Sequence, residues 1–276
     1  TTLNFTGSTN AGILVAGTAA DRVINFKIEG LTIESANTTT ASLDISLAFS
    51  FYLEDVVVNN DVTGSGCIID GCQDFQVVNC RFSGNNANGL HIKAVAQSVS
   101  RFTILNCRSD NNQTSGFAFD ANTNDLFYGN ILGCRSDSNV GDGFDFSATS
   151  ASGLDVGLSA CLANSNGGIG FDINSNCQRV FLTGCTSQLN TGRGFDFDGL
   201  DFSVVGSFSD TTMRFAVNGI AVGNYCSSDY VVGEQSILAI NRDERPKEGK
   251  RVIVMKNVSG VQLRAGSVVV RDPATD

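Results

Sequence analysis

The 276-residue chain has no tryptophan, a single histidine, and only 18 basic residues against 28 acidic ones. Each scarcity excludes something. Without Trp there is no indole platform for a sugar ring, and Tyr52, Tyr128, Tyr225 and Tyr230 are weaker substitutes. The formal net charge of −10 argues against holding an anionic polymer, nucleic acid included, by bulk electrostatics. No apolar run approaches the ~20 residues of a membrane span and no signal-peptide pattern opens the chain, so no membrane insertion is expected. Ser-His-Asp arrangements, phosphate loops and zinc-ligand spacings are missing as well. What remains is 42% hydrophobic with 30 glycines, enough for one large domain, or one with a small appendage, around a sizeable core.

A repeat organises that material. Cys80, Cys107, Cys134, Cys161 and Cys185 follow one another at intervals of 27, 27, 27 and 24 residues. Five residues after each stands an asparagine: Asn85, Asn112, Asn139, Asn166 and Asn190. Nine residues after each stands a glycine that opens an alternating apolar run: GLHI (89–92), GFAF (116–119), GFDF (143–146), GFDI (170–173) and GFDF (194–197). Three registers that coincide over five copies mark a structural unit. Within one period, 107–133, CRSD, GFAFD and DLFYGNIL each alternate with period two, and NNQTS and ANTN separate them as turns. No segment carries a helical period. Three short strands per 23–27 residues, returning to the same register, predict an all-β, right-handed, single-stranded parallel β-helix.

Equivalent residues of successive coils then stack about 4.8 Å apart. Phe117, Phe144, Phe171 and Phe195 form one inward column, with Phe119, Phe146, Ile173 and Phe197 two residues on. The asparagines are expected at a bend, bonding above and below and accepting a left-handed backbone. Nine cysteines cannot all pair within one chain, and a 4.8 Å stack is too wide for a relaxed disulfide, so they read as buried free thiols. Outside the five copies, GCII (66–69) and NFKIEGLTIES (25–35) read as earlier coils, and GIAV (219–222) as the next copy of the glycine motif. Residues 1–240 hold 10 basic and 23 acidic side chains, residues 241–276 hold 8 and 5. SILAI, RVIVM and VQLRAGSVVV around the charged turn NRDERPKEGK predict a small antiparallel β cap or oligomerisation element. The expected division is a β-helix over 1–229 and a cap over 230–276.

The opening TTLNFTGSTNAGILVAG with RVINFKIEGLTIE, and the coils FQVVNCRFSGNNANGLHI and FTILNCRSDNNQTSGFAF, resemble the pectate-lyase-like β-helix superfamily over about residues 1–225. More narrowly they are similar to the β-helical bodies of bacteriophage tailspikes. That resemblance implies a homotrimer that binds, and in many cases cleaves, a host cell-surface polysaccharide. It places the chain in a virion tail, downstream of a virion-attachment domain or tail protein. Thr1 stands inside a strand-like pattern, which fits a piece of something longer. The superfamily also holds lyases, glycosidases and epimerases, so two alternatives stand: an extracellular monomeric enzyme and a non-catalytic structural spike. The Arg/Lys-plus-calcium signatures of pectate lyases and the acidic and histidine motifs of alginate epimerases are missing.

Outward positions between the inward phenylalanines are where chemistry is expected. The middle position of each copy gives Ile68, His91, Ala118, Asp145, Asp172 and Asp196; the next outward column gives Asp70, Lys93, Asp120, Ser147, Asn174 and Asp198. Lys93 stands between Asp70 and Asp120 and is neutralised there. Asp145, Asp172 and Asp196 stack with only Arg193 nearby as a partner. Two carboxylates ~5 Å apart repel by about 3 kcal/mol at an effective dielectric of 20, which can hold one protonated as a general acid. Adjacent coils suit the ~5–5.5 Å of a retaining glycosidase pair, and coils two apart the ~9.6 Å edge of the inverting range. The catalytic candidates are therefore Asp145, Asp172 and Asp196, and the substrate-binding candidates His91, Lys93, Asp120, Tyr128 and Arg193. No cofactor is required, although the same column can take Ca²⁺ through oxygen ligands. Asp at outward positions also serves solubility alone. Arg81, Arg108 and Arg135, with Asp110 and Asp137, read as a surface ion-pair lattice that can meet an acidic sugar.

Overall fold

The computed structural model describes residues 2–5, 9–35, 38–121, 123–148, 153–215, 219–227, 230–232, 237–239, 242–243 and 255–256. Every regular element among them is a β-strand. Each of three sheets takes every third strand in chain order: eleven strands from Thr2–Phe5 onward, ten from Thr9–Ala16 onward and eleven from Val23–Glu29 onward. These are walls one, two and three. A chain that visits each wall once per coil and pairs in parallel with the coils on either side is a parallel β-helix.

The columns sit where the repeat places them. On wall two the strands Phe117–Ala121, Phe144–Ala148, Phe171–Ile173 and Phe195–Phe197 are in register, and their inward phenylalanines are fully buried. Phe117, Phe144, Phe171 and Phe195 stack with ring centroids 4.9, 4.8 and 4.8 Å apart and nearly parallel planes. Wall three carries a second stack, Phe26–Phe51–Phe75–Phe102, at 4.8, 5.0 and 5.4 Å. That stack ends on Gly129, where a Cβ would lie 2.2 Å from Phe102 Cζ. Glycine is there for room.

The asparagine column works through its side chains. Asn139 Oδ1 accepts from the Asn112 main-chain N–H at 2.9 Å and from Asn112 Nδ2 at 2.8 Å, and the same pair of bonds links Asn85 to Asn112, Asn139 to Asn166 and Asn166 to Asn190. The left-handed backbone expected at these asparagines lies one residue earlier instead, at Gly84, Asn111, Ser138, Ser165 and Leu189. The preceding residue turns the corner in the open, which leaves the asparagine amide pointing into the buried ladder. The eight cysteines from Cys67 to Cys185 are buried free thiols, and Cys226 is buried too. Cys107, Cys134, Cys161 and Cys185 lie within bonding reach of carbonyls of the coil below, as Cys107 Sγ does with Val77 O at 3.3 Å. Burial pushes the Cys72 thiol up to about 12, so it behaves as a small apolar group.

One expectation is corrected. GIAV (219–222) lies on wall three, and the coil after Phe195–Phe197 on wall two is Met213–Phe215. The period shortens to 18 residues there, so counting forward by about 25 overshoots into the next wall. Beyond 229, Tyr230–Val232, Ile237–Ala239 and Arg242–Asp243 continue the three parallel ladders. Met255–Lys256 adds to Ile237–Ala239 in antiparallel fashion. The rest of the expected cap lies outside the described residues.

The ladder makes a quantitative demand. Asn139→Ala strands a buried N–H of Asn112, so it is expected to lower unfolding free energy by about 2–4 kcal/mol, measured by urea denaturation. A loss under about 1 kcal/mol would mean that the amides do not bridge the coils.

Candidate functional site

Wall two presents two outward columns to solvent. The first runs Asp44, Ile68, His91, Ala118, Asp145, Asp172, Asp196, Arg214, each in register with the next. The second runs Ser46, Asp70, Lys93, Asp120, Ser147. The alternation that buries Phe144, Phe146, Phe171 and Ile173 turns the intervening carboxylates outward.

The lower part of this face is neutralised. Lys93 Nζ lies 3.8 Å from Asp70 Oδ2, and His91 Nε2 lies 2.6 Å from Asp120 Oδ2. Ser147 Oγ donates to Asp120 as well. Burial acts to raise Asp120, but the bonds from His91 and Ser147 outweigh it and hold the carboxyl below its ordinary value. The upper end is neutralised too. Asp196 is 3% exposed and is bound by Arg193 at 2.7 Å and by Arg214, which also reaches Asp198. The third carboxylate expected to be nearly unpartnered is thus an ion-paired one, because the shortened coil brings Arg214 into the column.

Between these ends lie Asp145 and Asp172, joined by a residue from the preceding turn. One carboxylate oxygen from each of Asp142, Asp145 and Asp172 lies within 4.8 Å of the others. Asp142 accepts from the Ile169 N–H at 2.5 Å, and Ser115 Oγ approaches Asp145 at 3.4 Å. Among the described residues Asp172 has no hydrogen-bond or ion-pair partner. Burial, then the charges of Asp142 and Asp120, push Asp145 up to about 6. Burial, then Asp142, Asp145, Asp196 and Asp198, push Asp172 up to about 7. Burial raises Asp142 as well. An open depression of about 640 Å³, lined in part by Ile169, Arg193 and Thr212, adjoins this cluster.

The geometry brings together Asp145 and Asp172, places Asp196 and Arg193 one coil on, and gathers His91, Lys93 and Asp120 on the coils before. Tyr128 stands apart: it lies on wall three, 61% exposed, its ring edge-on to Phe127. It stands in a column of left-handed residues, Asn25, Ser50, Asp74, Arg101 and Tyr128, that the wall-three pairing skips on successive coils, and the register shifts at Tyr128. Sequence reasoning missed Asp142 and Arg214. Asp142 occupies the position before each motif glycine, equivalent to Asn88, Ser115, Ile169 and Arg193, so its column was readable. Arg214 was hidden by the short coil.

Chemically, Asp145 and Asp172 can share one proton near neutral pH, so that one is an acid and the other a carboxylate. One oxygen of each lies within 4.8 Å of the other, which is closer than the ~6.5–9.5 Å spacing of an inverting pair. The three oxygens can also face a divalent cation, which takes 6–8 oxygen ligands at about 2.3–2.6 Å.

No protein-family model matches the chain, and no curated protein does. Solved structures do. The chain superposes on the pectate lyase Pel9A with a TM-score of 0.54 at 17% identity, over 90% of this chain and 72% of the other. It superposes on ORF18 of Geobacillus virus E2 with a TM-score of 0.63 at 10% identity, over 88% and 62%. Against tailspike protein 2 of Escherichia coli O157:H7 bacteriophage CAB120 the TM-score is 0.51 at 13% identity, over 84% and 34%. The chain therefore spans less than two thirds of either viral protein. These likenesses establish the fold, a pectate-lyase-like parallel β-helix.

The raised carboxyls fix the sign of a pH dependence. Between about pH 4 and 7 the folded chain keeps protons that the unfolded chain has lost, so this pair's contribution to stability falls as pH rises through that window. Asp172→Asn is expected to be more stable than wild type at pH 8, by on the order of 2 kcal/mol, and nearly equal to it at pH 4.5. An Asp172→Asn difference that does not change between those pH values, in parallel denaturation curves, would contradict the assignment.

Proposed function

We propose that this chain is a tailspike-type receptor-binding β-helix that docks a host cell-surface polysaccharide along wall two and cleaves it by acid/base hydrolysis. The observation that carries the reading is the Asp145–Asp172 pair, stacked on adjacent coils, raised to about 6 and 7, and flanked by neutralised residues on both sides. In hydrolysis, the protonated carboxyl gives its proton to the glycosidic oxygen as the C–O bond breaks. The ionised partner attacks the anomeric carbon, and water then releases the sugar with the first residue acting as base. Arg193, on the rim of the adjoining depression, and His91 and Lys93 on the coils before are placed to contact hydroxyl or acidic groups of flanking sugars.

The coil motifs support the viral reading, as does the fold shared with a virus protein and a tailspike. A homotrimer in a virion tail is part of the proposal. A second reading, a secreted monomeric polysaccharide lyase, glycosidase or epimerase, is favoured by one observation: Asp142, Asp145 and Asp172 all come from a single chain, so the site does not need a neighbour.

The test is turnover of a panel of purified bacterial surface polysaccharides, followed as new reducing ends. Asp145→Asn and Asp172→Asn are expected to lower kcat/KM at least about 100-fold, while Asp155→Asn on wall three leaves it unchanged. Wild-type kcat/KM should be bell-shaped, with its maximum near pH 6–7. Full turnover by both variants on a cleaved polysaccharide would remove the pair from the mechanism. Products carrying an unsaturated sugar that absorbs in the ultraviolet would replace hydrolysis with elimination.

A further inference from the structure

The three walls differ in what they show to solvent. Wall one carries a lattice of opposite charges: Asp110 binds Arg81 and Arg108, and Asp137 binds Arg108 and Arg135. Wall two carries the carboxylate column. Wall three, from Gln73–Val78 upward, carries almost no charge. Its strands Leu126–Leu132, Val180–Thr183, Phe202–Val205 and Gly219–Val222 contain no Asp, Glu, Lys, Arg or His. Up to Gly219–Val222 its remaining strands add only the Asp74–Arg101 ion pair and Asp155, and Met255–Lys256 brings Lys256 beyond them. In place of charges there is a column that is aliphatic except at Ser159 and Thr183. Val78, Leu105 and Leu132 stand in register on successive coils, as do Val205 and Val222 higher up, and Phe181 lies 41% exposed beside them.

We infer that wall three is the surface through which copies of this chain associate. A patch of seven strands, Gln73–Val78 to Gly219–Val222, at about 4.8 Å spacing and about five residues of width covers roughly 600 Å², so two copies would bury about 1,200 Å² together, the lower end of specific interfaces. Charge selects the occupant. A chain of net charge −10 meets a second copy with least repulsion where the faces carry least net negative charge, and between Gln73–Val78 and Gly219–Val222 the strands of wall three carry only Asp155 beyond the Asp74–Arg101 pair. Aliphatic side chains in register, Val78, Leu105 and Leu132, fit the same ladder of another copy. The inference rests on the spike reading only for the number of copies.

The experiment is light scattering after size exclusion on the full chain, comparing wild type with Leu132→Lys/Val205→Lys and with Leu189→Lys, an exposed leucine at the corner after wall one. Wild type is expected above the 29.0 kDa of one chain. The wall-three variant is expected to run as a monomer, with its dissociation constant raised at least about 100-fold, while its circular dichroism and its melt at low concentration match wild type. Leu189→Lys keeps the wild-type mass. A wild-type monomer at tens of micromolar, or a wall-three variant of unchanged mass, overturns the inference. So does a monomer in which the wall-three substitutions abolish polysaccharide binding, since that assigns the wall to sugar. A mass of two chains supports the wall-three contact and refutes the trimer of the spike reading, so the two can fail separately.

Discussion

A strand in this molecule hydrogen-bonds in parallel to the equivalent strand of the coil before and of the coil after, which sets each side chain about 4.8 Å from its own counterparts. Like is therefore stacked on like, and the worth of each column depends on how that residue type tolerates itself. Phenylalanine gains: rings 4.8 Å apart and nearly parallel keep contact along the whole core. Asparagine gains more specifically, because its amide is donor and acceptor at once and can bond upward while being bonded from below. Cysteine is tolerated, as a small buried group with a neighbouring carbonyl within reach.

Aspartate is the residue for which self-stacking is unfavourable, and the chain answers it in two ways. On wall one each carboxylate is offset from the arginine column by two residues, so that Asp110 and Asp137 bridge successive guanidiniums. On wall two the ends of the column are answered likewise, by His91 and Ser147 below and by Arg193 and Arg214 above. The middle is left, and a third carboxylate, Asp142, is turned toward it. The carboxylates there are left without the partners given to the ends of the column, and with no structural gain, which is the ground on which the proposed function rests. Retained protons are the physical consequence.

Much of this was legible because the coil is nearly constant in length. Where the period is 27, 27, 27 and 24 residues, position modulo the repeat names the wall, the face and the neighbour of every side chain, including the pairing of Asp145 with Asp172. Legibility failed where the period failed. The 18-residue step from Phe195 to Met213 hid Arg214, moved GIAV to another wall and left Asp196 looking almost unpartnered. Corners were the other blind spot. The left-handed residue precedes the asparagine because the ladder needs the amide inside, and wall three turns left-handed at Asp74, Arg101 and Tyr128 without a composition that announces it.

The account turns on a proton held between stacked carboxylates, and titration can observe that proton directly. Asp labelled with ¹³C at the side-chain carboxyl, assigned through Asp145→Asn and Asp172→Asn, would be followed by NMR from pH 3 to 9. The expected result is that the pair shows macroscopic steps well above the ordinary carboxyl range, near 6 and 7, and that removing either partner lowers the step of the other. If both resonances titrate together below about pH 4.5, the carboxylates are independently solvated and the column is surface polarity with no proton to give.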